Sequence, residues 1–191
     1  LNFNPLYPIE TLSFYEDDNI QKVYWTDGLN QPRVINITSI EDYTPNSFDF
    51  VMSLNPGSTV NITNIEKGYS GIFPSGVIQY CVTVYTKSAQ ESNILAISPL
   101  YYITKYDNGG SPEDSLSVSF NVTVSVKDVA CEYVRLYSIL RTTQDSTPIV
   151  KRVQDIKLSS STQTISFTDT GNIGESIDPT ELLYLGGEDI S

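Results

Sequence analysis

Residues 116–126 read LSVSFNVTVSV. Leu116, Val118, Phe120, Val122, Val124 and Val126 fall on one face of an extended chain, and Ser117, Ser119, Asn121, Thr123 and Ser125 on the other. Alternation with a period of two over so long a run is strand text, because a helix scatters such positions around its circumference. It also demands partners. A strand with one greasy face needs neighbours on both sides and a second layer over that face.

The same grammar recurs at 76–86. There Ile78, Tyr80, Val82 and Val84 alternate with Gln79, Cys81, Thr83 and Tyr85, which places Cys81 on the more polar face. Further candidate strands are 9–15, 20–26, 33–38, 48–54, 59–63, 92–98, 131–142, 148–158, 162–168 and 181–185. No segment sustains a helical period. The one helical signal is DPTELLYLG, where Asp178 followed by Pro suits an N-cap and first position and permits a single turn.

Composition agrees and narrows the function. Of the 191 residues 39% are hydrophobic and 11% aromatic, enough for a packed core, while only 18% are charged. The formal charge of −12 excludes a basic stripe for nucleic acid and disfavours an anionic membrane surface. No apolar run approaches the roughly 18 residues of a membrane-spanning helix. The chain contains no histidine, which removes the commonest general base, the Ser-His and Cys-His pairs and the commonest zinc ligand. Residue 1 is Leu and no leader segment is visible, so the N-terminus reads as trimmed, processed or internal to a longer chain.

The strongest break is KYDNGGSPEDS, 105–115, where turn dipeptides cluster without apolar anchors. It divides the chain into an expected first β-sandwich at 1–106, a linker at 107–115 and a second β-sandwich at 116–191. The first has about the strand count of an immunoglobulin-like domain. The sandwich at 116–191 reads as incomplete, and its last strands lie either beyond residue 191 or on a partner. Cys81 and Cys131 fall on opposite sides of this boundary and are expected to be separate thiols.

The stretch KVYWTDGLNQPRVINI, 22–37, contains Tyr24-Trp25-Thr26-Asp27, a tetrad that elsewhere names a class of β-propellers. A propeller repeats such a tetrad once per blade, and here it occurs once. The local reading is a hairpin. Val23 and Trp25 face one way, Asp27-Gly28 opens the turn, and Arg33 to Ile37 returns as the second strand.

The same stretch is part of a wider resemblance. KVYWTDGLNQPRVINI, IFPSGVIQYCVTVYTKSAQESNILAISPLYYIT, EYVRLYSILRTTQDSTPIVKRVQDI and TISFTDTGNIGESIDPTELLYLGGE occur in this order across residues 20–188. Together they resemble the large virion structural proteins of crAss-like phages of gut Bacteroidota, the muzzle, tail or stabilisation proteins. The resemblance implies a tail component near the distal opening of a short-tailed virion, assembled in a ring with other tail proteins and without catalytic residues. The family proteins are much longer, so it also implies that this chain is one piece of such a protein.

Within it, FPSGVIQYCVTVYTKSAQESN is similar to the last hairpin of fibronectin type III domains, here spanning 76–98. That likeness implies a corner role for Tyr80, with its ring in the core and its hydroxyl on nearby backbone. EYVRLYSILR followed by SFTDTG resembles the middle of another such domain.

The remaining motifs have plain explanations. The sequons at Asn36, Asn61 and Asn121 coincide with polar–apolar–polar strand alternation. Acidic loops at 16–18, 107–114 and 188–189 carry oxygen ligands, but none has calcium-loop spacing. No cofactor is expected, and calcium near 107–114 is the sole metal alternative. Asp27 and Asp169 do not make a hydrolytic pair, since each sits in a turn where Asp caps backbone amides. Most of the 13 tyrosines suit sheet packing.

The sequence thus predicts an all-β, non-enzymatic virion protein of two tandem immunoglobulin- or fibronectin-like sandwiches. Trp25 and Tyr80 anchor cores. Asp27, Asn30 and Arg33 are the candidate interface residues, because Arg33 is a rare cation in an acidic chain and Arg is enriched at interfaces. The expected partners are other virion tail proteins and copies of this chain. A module binding host surface glycan is the alternative.

Overall fold

The computed structural model describes residues 4–29, 32–38, 51–52, 54, 57–87, 90–107 and 109–186. In chain order the strands are β1 (Glu10–Asp17), β2 (Ile20–Thr26), β3 (Arg33–Asn36), β4 (Val51–Met52), β5 (Thr59–Gly68), β6 (Gly76–Tyr85), β7 (Glu91–Ser92), β8 (Ala96–Ile97) and β9 (Tyr101–Ile103). They continue as β10 (Ser119–Lys127), β11 (Tyr133–Arg141), β12 (Ile149–Lys157), β13 (Gln163–Asp169) and β14 (Glu175–Ile177), followed by helix α1 (Pro179–Gly186). The all-β expectation holds. The expected strand at 48–54 is described only at Val51–Met52, and positions 48–50 and 53 lie outside the described residues.

The chain forms two compact units, one of Leu1–Ser53 with Tyr85–Ser92 and one of Leu54–Val84 with Asn93–Ser191. The smaller unit contains an antiparallel sheet ordered β1-β2-β3. Tyr24 pairs with Val34 and Trp25 with Arg33, so the tetrad is a strand end entering a turn. Gly28 takes a left-handed φ of 66°, and the Asp27 carboxylate accepts the Leu29 amide at 3.0 Å. In the same unit β4 runs parallel to β7, and Tyr85 pairs with Glu91.

The larger unit has two sheets and a helix. One sheet is ordered β13-β10-β5, and the other β14-β12-β11-β6, with β8 and β9 also pairing with β6. The alternating strand behaves as its sequence requires. Phe120, Val122, Val124 and Val126 are fully buried, and β10 is flanked on both sides, Val122 lying opposite Phe167 and Ile65. The sheets meet through Phe120, whose ring lies 5.7 Å from Phe73, 5.9 Å from Tyr80 and 6.1 Å from Tyr101. Such aromatic pairs contribute about 0.5–1.5 kcal/mol each beyond area burial.

Three expectations are corrected. The boundary at 107–115 is not a division between sandwiches. β5 and β6 precede it, yet β5 pairs with β10 and β6 with β11. Strands from residues 59–103 complete the sheets of the second half. A strand buried on its inner face requires lateral neighbours, and sequence order does not say where they come from. The turn residues of 105–115 instead make a connection between β9 and β10, closed by the Tyr106–Gly109 bridge.

The second correction concerns β6. Its polar-looking face is buried as well, with Cys81 and Thr83 at 0% exposure. The third concerns 181–185, which belongs to α1 and not to a strand. Asp178 caps the helix by accepting the Thr180 amide at 2.9 Å, with Pro179 at the first position. These two corrections have one cause. Leu182 of α1 is buried with Cys81, Tyr137, Ile139 and Val150, and Ile94, Ile177 and Leu185 pack around them. The helix therefore covers the outer face of the second sheet and adds a third layer. The chain is tied there by the Ile94 amide, which donates to the Leu185 carbonyl at 2.7 Å. At eight residues α1 is too short to cross a bilayer.

Smaller differences follow edge and turn geometry. The expected strand at 92–98 is two short pieces, β7 and β8. β5 runs five residues further than expected, to Gly68, because it pairs along almost the whole of β10. The third layer makes a direct prediction. Leu182→Ala should destabilise the protein by roughly 2–5 kcal/mol in urea unfolding, the usual range for a buried Leu. A change below about 0.5 kcal/mol would mean that α1 does not cover β6 in solution.

Candidate interaction surface

The ionisable groups buried in the larger unit bind structure together. Tyr80 is fully buried, and its hydroxyl donates to Asp169 Oδ2 at 3.1 Å. The corner expectation is thus right about the ring and wrong about the hydroxyl, which crosses to the other sheet instead of meeting nearby backbone. Asp169 Oδ1 accepts the Gly171 amide at 2.8 Å, and Lys151 donates to the Gly171 carbonyl at 2.7 Å. Burial pushes the Asp169 carboxyl above its ordinary range, against the opposing pull of the Gly171 amide, the Tyr80 hydroxyl and the Lys151 charge. Burial, with Asp169 beside it, raises the Tyr80 phenol far above its ordinary value.

Asp27 and Asp169 fall in different units, and each holds the amide two residues on, as turn caps do. Neither cysteine is in a disulfide. Burial raises Cys81 to about 12, and burial with the Glu132 charge raises Cys131 to about 12, so neither is a reactive thiolate.

The acidic loop is likewise committed to its own fold. Asp114 accepts the Ser111 amide at 2.8 Å and the Ser75 hydroxyl at 2.9 Å, with Lys105 at 3.9 Å. These contacts, the Ser111 amide first, hold its carboxyl below the usual range. Among the described residues no three His, Cys, Asp or Glu side chains cluster as a metal site.

The candidate interface residues lie on the β2–β3 hairpin. Asp27 is buried at 5% exposure and acts as the turn cap. Asn30 lies outside the described residues. Arg33 opens β3, half-buried opposite Trp25. Asn36, the first sequon residue, is 2% exposed. Its Oδ1 accepts the Gln21 amide at 2.9 Å, and its Nδ2 donates to the Asn19 carbonyl at 2.9 Å. That side chain therefore braces the β1–β2 turn. Asn61 and Asn121 are exposed, as outward strand positions should be.

Two features escape the sequence reading. Arg135 is 3% exposed and makes a two-pronged bond to Asp155, at 2.8 and 2.9 Å, from the facing position on β12. The spacing of β11 and β12 contained the signal, but only the register aligns the pair. The other feature is β1, read simply as a strand. Leu12 is 68% exposed and Phe14 53% exposed on one of its faces. Their alternation with Thr11 and Ser13 is visible in the sequence, but the lack of cover is not.

Comparison with known proteins places this fold among relatives. Residues 1–191 match the family described as Crassvirus muzzle protein. The "Muzzle protein" of Bacteroides phage crAss001 is 47% identical over 191 residues, which is all of this chain and 14% of that relative.

The buried carboxylate leads to a pH prediction with a definite sign. Because the folded value of Asp169 is raised, its contribution to stability is fully present below the ordinary carboxylate value. It is lost as pH rises through the folded value. Asp169→Asn should therefore gain stability relative to the parent as pH increases through that window in urea unfolding. Asp169→Ala, which strands the Tyr80 hydroxyl and Gly171 amide, should lose about 1–3 kcal/mol. A parent–Asn difference that does not change with pH would remove the raised carboxyl from the account.

Proposed function

As the chain belongs to the Crassvirus muzzle protein family, we propose that it is a non-enzymatic structural segment of the phage tail that supplies contacts within a multi-subunit ring. The protein is a virion component, and the chain spans 14% of the length of its crAss001 relative. The observation that carries the proposal is the identity of 47%, which runs through the whole chain with no part left unmatched. The structure is consistent with a mechanical role. Its titratable clusters are spent on cross-sheet and turn bonds, and its larger unit is layered and densely buried.

The immunoglobulin-like description is kept as a proposal of likeness for the larger unit alone. The larger unit has the facing sheets of an immunoglobulin-like fold, with β6 and its neighbours in the place of the final hairpin. Its partners in this reading are other tail proteins and copies of itself, met in part through the 27–33 turn with Arg33 as the cation.

Size exclusion with light scattering on the 191-residue chain, from low to high micromolar, tests this. Growth into a defined closed oligomer that Arg33→Glu weakens is the expected result. A monomer throughout removes copy–copy contacts from this segment. A monomer that also binds Bacteroidota surface glycans on an array replaces the assembly role with an adhesin.

A further inference from the structure

With the assembly role as premise, we propose that the open edge of β1 is a docking site for an extended strand of another virion chain, apolar at its centre and flanked by basic residues. The edge itself is the first observation. Among the described residues β1 ends its sheet, and it is the longest strand of that sheet at eight residues. Its protection against edge pairing is confined to its ends, where Glu10, Glu16 and Asp17 are charged, and Thr11–Phe14 between them carry no charge. There is no Lys or Pro within Glu10–Asp17, and the one irregularity in its pairing comes only after Tyr15.

Exposure is the second observation. Leu12 and Phe14 project from one face, next to Tyr24 and Lys22 on β2, with Thr11 and Ser13 exposed on the other. The same face is closed one strand further on, where Val34 is 1% exposed. The sheet is therefore covered at β3 and bare at β1. A strand added at β1 would pair along residues 10–14 and cover Leu12 and Phe14 with alternate side chains.

Charge selects the occupant. Residues 1–21 contain Glu10, Glu16, Asp17 and Asp18 and no Lys or Arg, in a chain of charge −12. Lys22, the first cation, is bonded to Glu16 at 2.8 Å. A second copy is a poor fit. Two-fold antiparallel pairing about Ser13 sets Glu10 against Glu16, and parallel in-register pairing sets each acid beside itself. Like charges directly opposite destabilise a strand pair. A strand with cations at its ends matches the exposed Glu10 at one end and the exposed Asp18 just past the other.

The test uses the 191-residue chain and two synthetic peptides of alternating valine and threonine, one flanked by lysines and one by glutamates. Hydrogen exchange read by mass spectrometry should show new protection in 10–15 with the lysine-flanked peptide. That peptide should bind about fivefold or more tighter than the other, the effect of two exposed ion pairs. Leu12→Thr with Phe14→Thr should abolish the protection while circular dichroism stays unchanged, and Glu10→Lys should narrow the preference between peptides. Equal binding of both peptides, protection elsewhere than β1, or no protection would overturn the proposal. So would β1 protection that grows with protein concentration alone, since the occupant would then be a second copy. These outcomes are independent of whether the chain forms a ring through Arg33.

Discussion

The larger unit depends on the place where its two sheets are pinned through Tyr80. The ring packs against Phe120, and the hydroxyl reaches Asp169 on the far sheet. A phenol in that position must find an acceptor, because an unmet buried hydroxyl costs more than a made hydrogen bond contributes in net. Asp169 supplies one and at the same time holds the turn after β13 through Gly171. Lys151 then fastens that turn to β12. One buried carboxylate thus couples a ring in the core, a turn and both sheets. Hydrophobic burial alone would hold the layers together but would leave their register less defined.

The third layer changes how the sheet is used. With α1 seated over Cys81, Tyr137 and Ile139, β6 and β11 are buried on both faces, as central strands of a multilayer unit are. Arg135 accompanies this arrangement. A guanidinium at 3% exposure persists only with a matched partner, and Asp155 meets it with two parallel bonds from the adjacent strand. β1 of the smaller unit is different, with Leu12 and Phe14 exposed.

Much of the fold was legible because strand alternation is local. The runs at 20–26, 76–86 and 116–126, the hairpin at Asp27-Gly28 and the Asp178-Pro179 cap each follow from neighbours in sequence. The likeness to crAss-like phage virion proteins was legible for a related reason, since several matched segments in a fixed order are themselves a linear signal. The candidate interface was only partly legible. Arg33 is a rare cation by composition, but that Asp27 is occupied as a turn cap, and that Leu12 and Phe14 stand bare, depends on what packs around them.

The sequence by itself determined the strand character of 20–26, 76–86 and 116–126, which residues face inward on β10, and that the chain carries no histidine. Only the tertiary structure decided which strands are neighbours. Alternation specifies that a face must be buried without naming the cover, so residues 59–103 were free to complete the second half across a turn-rich segment that reads as a linker. For the same reason α1, and not water, covers the face of β6 that reads as polar. Cys81 and Thr83 are small and tolerate either environment, and the choice fell to Leu182 and Leu185, about a hundred residues further along the chain.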